Sequence, residues 1–197
     1  AGAEPVAGGT ITIRGTETRM TTPRHGVDAG IGFLPEDRKR QGLVLKLPVQ
    51  HNIALSHLRQ LSRAGLLDTG RERNEADDAI ARLRIRTPGR DQLVVNLSGG
   101  NQQKVVLAKW LAAGAGIFIF DEPTRGIDVA ARQEIYLLMN GLVEQGAGII
   151  MVSSDMSELL GMSDRVLVMR GGAVQAELEG ADATEARVLG AAFGMAS

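Results

Sequence analysis

The chain has 197 residues, 44% of them hydrophobic and 23% charged, with a formal net charge of −1 and no cysteine. This length supports one substantial core, or one core with a smaller lobe, in an ordinary globular composition. A charge so near zero draws the chain neither to nucleic acid nor to anionic lipid. An aromatic content of 3% leaves little for base stacking, and the lack of cysteine excludes disulfides and thiolate metal sites.

The opening AGAEPVAGGT lacks the basic start and apolar centre of a secretory signal. Thr10 to Arg14 alternates β-branched with other residues and reads as a short strand turned at Gly15. Val27 to Leu34 passes through glycines into a second strand, which Pro35 stops, and a charged turn runs from Glu36 to Gly42. From Val49 to Arg86 the spacing becomes helical, with Ile53, Leu55 and Leu58 at its start and breaks at Gly65 and Gly70. Ala76, Ile80 and Leu83 then share one face. Little in this block reads as strand, and Pro88-Gly89 closes it. It is expected to form a helical lobe over 49–90, set into a core of 1–48 and 91–197.

After Ser98 helix and strand alternate. A helix runs from Asn101 to Leu111, a strand from Ile117 to Phe120, a helix from Val129 to Glu144 and a strand from Gly148 to Val152. A short helix from Met156 to Leu160 and a strand from Arg165 to Met169 lead to a turn at Gly171-Gly172. A strand from Ala173 to Leu178 and a helix from Ala183 to Phe193 follow. Short apolar strands interleaved with helices predict an α/β fold, its sheet mostly parallel and covered by helices. No apolar run reaches the length of a membrane-spanning helix.

Two stretches carry the chemistry. Asp121-Glu122 ends an apolar strand, and ligands of open α/β sheets sit beyond the carboxyl ends of strands. Alone, such acids could simply cap the next helix. Ser98-Gly99-Gly100 opens a helix: the serine can cap it, and glycines let backbone N–H groups approach an anion. The helix end adds favourable potential for phosphate, up to about 1 to 2 kcal/mol. Asp128 precedes Val129 as a cap would. His25, His51 and His57 lack metal-ligand spacing and read as surface or packing residues.

In this order and spacing, Asn96-Leu97-Ser98-Gly99-Gly100-Asn101-Gln102-Gln103-Lys104 and Ile117-Phe118-Ile119-Phe120-Asp121-Glu122-Pro123-Thr124 resemble the signature loop and Walker B strand of an ABC-type ATPase. The run Pro35-Glu36-Asp37-Arg38-Lys39-Arg40-Gln41-Gly42-Leu43 narrows the likeness. It is similar to a segment in the carboxy-terminal half of the tandem ATPases of bacterial monosaccharide importers of the ribose, xylose and galactose type. The resemblance extends from Gly8 onward and implies ATP and Mg²⁺ as ligands. By it, Asp121 holds Mg²⁺ through water, and Glu122 is the catalytic base that polarises the attacking water. Ser98, Gly99, Gly100 and Gln102 close over the γ-phosphate bound by an opposing domain, and Asp128, in the D-loop, crosses between the two.

Three departures qualify the likeness. Glu36 stands where the family's Q-loop glutamine is expected, and Ser153-Ser154-Asp155 where its switch histidine is expected, with Ser154 as the equivalent; neither the hydroxyls nor the Asp155 carboxylate reproduce an imidazole's paired donor and acceptor at neutral pH. No G-x-x-x-x-G-K-[ST] phosphate cradle occurs in the 197 residues. In the family that cradle precedes a segment like Ala1–Gly9, so the chain is expected to be a truncated piece, inactive alone. The implied partners are a second ATPase half-domain, a membrane permease and, through it, a periplasmic sugar-binding protein, with no nucleic acid. The implied location is peripheral, on the cytoplasmic face of the bacterial inner membrane. A rival reading is a catalytically silent module that lends its signature loop to another ATPase. A chromosome- or repair-associated ATPase would need heptad arms and basic surfaces, which are lacking.

Overall fold

The computed structural model describes residues 2–4 and 6–194. The chain divides into two compact units, residues 1–150 and 151–197.

The first unit begins with an antiparallel hairpin, β1 (Thr12–Ile13) and β2 (Thr16–Glu17). Its two-residue loop, Arg14-Gly15, has both φ angles positive, the turn whose twist matches that of the strands it joins. The single strand expected from Thr10 to Arg14 is therefore half of a hairpin. A helix that periodicity did not announce follows, α1 (Pro23–Asp28), with Pro23 at its first position and the Thr22 hydroxyl accepting from His25 N at 3.4 Å. Six residues are too few for a pattern to repeat.

β3 (Ile31–Leu34) leads into the charged turn, where Arg38–Gly42 closes as one π-type helical turn. Asp37 starts it by accepting from Arg40 N at 3.1 Å. α2 (Val49–Ala54) and α3 (Thr69–Arg82) fill most of the block read as helical. Between them lies a second short hairpin, β4 (Ser62–Arg63) and β5 (Leu66–Leu67), again turned through positive φ at Ala64-Gly65. Buried Asn52 fixes the approach to α2: its Oδ1 accepts from Val44 N at 2.8 Å, and its Nδ2 donates to Val44 O, Leu47 O and Pro48 O at 3.1–3.2 Å. His51 and His57 each pair at 2.7 Å with a glutamate of α3, Glu72 and Glu75, packing roles rather than metal ligation.

The rest of this unit comprises α4 (Gly99–Ala112), β6 (Ile117–Asp121), α5 (Val129–Glu144) and β7 (Gly148–Val152), inside which the unit boundary falls. The sheet order is β3-β6-β7, so β6 is the middle strand. β3 and β6 run parallel, with Leu34 opposite Phe120. α4 packs on β3, α2, α3 and α5. Leu34, Phe118 and Phe120 are almost fully buried, whereas Phe33, pointing the other way, is 40% exposed. Each buried side chain of that size contributes about 1.5–3 kcal/mol.

Because α4 is surrounded, residues 102–109 are all buried, polar ones included. Lys109 Nζ donates to Gly42 O at 2.7 Å, and burial pushes its pKa down to about 8 from 10.5. The folded protein thus binds this proton less tightly than the unfolded chain. Lys109 is therefore expected to make stability rise with pH between about 8 and 10.5, by something on the order of 3 kcal/mol in total. Urea denaturation across that range should show the rise, and Lys109→Met should remove it; an unchanged slope in the variant would contradict the assignment.

The second unit holds α6 (Met156–Met162), the antiparallel pair β8 (Arg165–Arg170) and β9 (Ala173–Glu179), and α7 (Glu185–Phe193). Val166, Val168, Leu178 and Val188 form its core, with Met156, Leu159 and Leu160 of α6 packed against them. No helix among the described residues is long and apolar enough to cross a membrane.

Candidate functional site

Asp121 is the last residue of the middle strand, at the carboxyl rim of the sheet, and Glu122 begins the chain's departure from it. Glu122 has a left-handed backbone, φ 48°. For a residue with a Cβ that conformation costs about 1–2 kcal/mol, and such residues gather at working sites. The chain then closes on itself: Arg125 N donates to Glu122 O at 3.1 Å and Ile127 N to Thr124 O at 3.4 Å. Asp128 ends the loop by accepting from Ala131 N at 2.9 Å, capping α5. Its carboxylate is exposed.

Ser98 occupies the cap position of α4 and is exposed, but its hydroxyl makes no capping bond to the backbone. Instead it accepts from Asn101 Nδ2 at 2.8 Å, while Asn101 Oδ1 accepts from Arg86 N at 2.8 Å. The first N–H groups of this 14-residue helix, which lack intrahelical partners, are thus left uncapped by the Ser98 hydroxyl. The two glycines are demanded by close approach. A Cβ at Gly100 would lie 2.6 Å from Ala131 Cβ, and one at Gly99 would lie 2.6 Å from Arg38 Nη2 and 3.3 Å from Gly126 O. Gln102, expected among the ligand contacts of this turn, turns inward: it is 3% exposed and its Nε2 donates to Val94 O at 3.1 Å. Its amide braces the turn from beneath.

Glu36 stands just beyond β3, at the same rim as Asp121, and forms an ion pair with Arg125. Arg38 Nη1 donates to Arg125 O at 3.2 Å. Three segments distant in sequence, 36–38, 98–100 and 121–128, therefore meet around Arg125 and Arg38. Below them Lys104 Nζ donates to Glu134 Oε2 at 2.7 Å and to Arg84 O at 3.0 Å, and Arg86 reaches the other oxygen of Glu134 at 2.7 Å. The Lys104 hydrogen bond holds the Glu134 carboxyl below the usual carboxylate range. This knot ties the start of α4 to α5.

Arg38, Arg125 and Lys104 lie within the motifs read from the sequence but were given no role of their own. Arg38 sits in a charge run that looks like solvated surface, and only Gly99, which leaves room for a guanidinium, marks the place. Ser154 belongs to the second unit and is exposed. Its neighbours start α6: Asp155 Oδ1 accepts from Ser157 N and Glu158 N at 3.0 and 3.1 Å, and the Ser153 hydroxyl bonds Glu158.

This arrangement agrees with comparisons to known proteins. The chain is 48% identical over 192 residues to the ribose import ATP-binding protein RbsA 1 of Rubrobacter xylanophilus, covering 97% of this chain and 38% of that protein. It is 46% identical over 193 residues to the ribose import ATP-binding protein RbsA of Bacillus subtilis, covering 98% of this chain and 39% of that protein. It thus spans less than half the length of these relatives. The fold superposes on the ADP conformation of an ATP-binding cassette of an ABC transporter with a TM-score of 0.77 at 17% identity, over 98% of this chain and 80% of that one. Residues 1–125 match the family model described as ABC transporter, and with the rim carboxylates and the serine-glycine turn in place, the chain belongs to that family.

Proposed function

We propose that the chain is part of the ATP-hydrolysing subunit of a bacterial importer for simple sugars and couples hydrolysis to carbohydrate uptake. One observation carries this reading: a Ser98-Gly99-Gly100 turn whose serine is exposed and a rim-borne Asp121-Glu122 pair stand on one body, laced together through Arg125 and Arg38. The names of its relatives supply the substrate class.

Each residue then has a task. Glu122 orients and polarises the attacking water, the role its position past the strand end allows. Asp121 holds magnesium brought with the nucleotide. Among the described residues no cluster of three or more carboxylates and histidines forms a metal cage, which suits an ion held by one carboxylate and phosphate oxygens. Bound there, the ion would screen the phosphate charge. Ser98, Gly99 and Gly100 present the amino end of α4 to phosphates carried by a second cassette, with Asp128 reaching across the same junction. Glu36 and a helical lobe over 49–90 pass the movement to a membrane permease on the cytoplasmic face of the inner membrane, beyond which a periplasmic protein delivers the sugar. Ser154 holds the switch position.

The chain alone is expected to give no saturable heat with MgATP in calorimetric titration, since its residues include no phosphate-cradling loop with a lysine. Mixed with a cassette that supplies such a loop, it should form an ATPase. Micromolar binding by the isolated chain, or no activity in the mixture, would overturn the reading. A second reading, a silent module that lends only its turn, is favoured by Glu36, whose carboxylate is taken up by Arg125. In that case changes at Ser98 would abolish activity of the mixture, and changes at Glu122 would cost nothing even in a chain joined to a phosphate-cradling loop of its own.

A further inference from the structure

We propose that Arg38 is the positioning residue of this site, a guanidinium wedge that makes the serine-glycine turn, the Glu36 loop and the segment after the carboxylates move as one piece. Its consequence for turnover depends on the ATPase reading above; its geometry does not.

Arg38 opens the π-type turn beyond β3 and lies half-buried between the other two segments. One terminal nitrogen, Nη1, holds the carbonyl of Arg125. The other, Nη2, fills the space in which a side chain at position 99 would grow, and Gly126 O and Ile127 Cγ2 bound that space at 3.3 Å. Nε is buried with no hydrogen-bond partner among the described residues, so the guanidinium is held by packing as well as by bonds. Burial lowers its pKa, outweighing the nearby Asp37 carboxylate. Two residues earlier Glu36 pairs with the side chain of the same Arg125. The 36–38 loop therefore grips residue 125 twice, at its guanidinium and at its carbonyl, and sets a terminal nitrogen of Arg38 against the turn. A planar fork can do this; the point charge of a lysine cannot.

Gly99 acquires a second reason for being glycine, since it clears the seat of Arg38. Because Arg38 is flexible at its far end, Gly99→Ala should fold and displace the guanidinium rather than unseat α4. Arg38→Ala and Gly99→Ala thus attack one contact from its two sides. In each variant of the chain, amide exchange at residues 99–101 and 125–128 should quicken about tenfold while α7 is unchanged. In the ATPase assembled with a cradle-bearing cassette, each should lower kcat about tenfold with KM for ATP held within about twofold, and the double variant should be no worse than the worse single one.

Multiplicative losses in the double variant, or exchange in both loops as slow as in the parent chain, would overturn the role given to Arg38. Quickened exchange in an assembly that hydrolyses no ATP in any version would support the wedge and count against the ATPase reading instead.

Discussion

Glu122→Gln, in a chain joined to a phosphate-cradling loop of its own and paired with a second cassette, is expected to cut ATP turnover at that site by about 10²- to 10⁴-fold while leaving nucleotide affinity nearly unchanged. Glutamine keeps the size of the side chain and its capacity to hydrogen-bond, so the left-handed backbone at this position and the turn to Arg125 need not shift. What is lost is the negative charge that draws a proton from water. Single-turnover hydrolysis with nucleotide binding measured in parallel separates the two effects. A variant retaining most of its turnover would remove Glu122 from the chemistry and leave the lending module as the better account.

Gly100→Ala should weaken the fold. A methyl group there would meet Ala131 Cβ at 2.6 Å, at the contact between the first turn of α4 and the first turn of α5, where neither backbone has a flexible end to yield. Overpacking of this kind costs about 1–3 kcal/mol, or roughly 2–4 °C in melting temperature for each kcal/mol in a chain of this length. Ala131→Gly in the same chain should return part of the loss by clearing the space. Gly141→Ala is the control: it lies within α5 with nothing near its missing Cβ, so it should stabilise by about 0.5–1 kcal/mol. Equal melting shifts at positions 100 and 141 would show that helix propensity alone governs both.

Elements were legible where an apolar run met a stop signal. The bounds of α5 and β7 are those read from the text, because Asp128 caps the one and Gly146 precedes the other, which opens at Gly148. Asp121 and Glu122 were legible for the same reason, as an abrupt end to Ile117–Phe120. The start of α4 was harder. A helix beginning Gly-Gly-Asn-Gln-Gln-Lys looks polar and half-exposed, yet Gln102, Gln103, Lys104 and Lys109 are buried, because the helix is packed on several sides and its polar groups find partners in Val94, Arg84, Glu134 and Gly42. Pairings such as Glu36 with Arg125 leave no periodic trace, since they join loops about ninety positions apart whose register only the folded sheet sets. The two short hairpins hid behind the helical spacing and the strand-like alternation around them, and their turn signals, Arg14-Gly15 and Ala64-Gly65, lack the Asn or Asp that would have announced them.

The backbone angle at Glu122 has a consequence for anyone selecting hardier versions of this protein. Glycine would relax that residue, and asparagine would sit there more easily than glutamate. A screen that rewards only solubility or heat resistance will therefore enrich such replacements and discard the carboxylate with them, so, on the role proposed for Glu122, the sturdiest survivors would have lost their catalytic base.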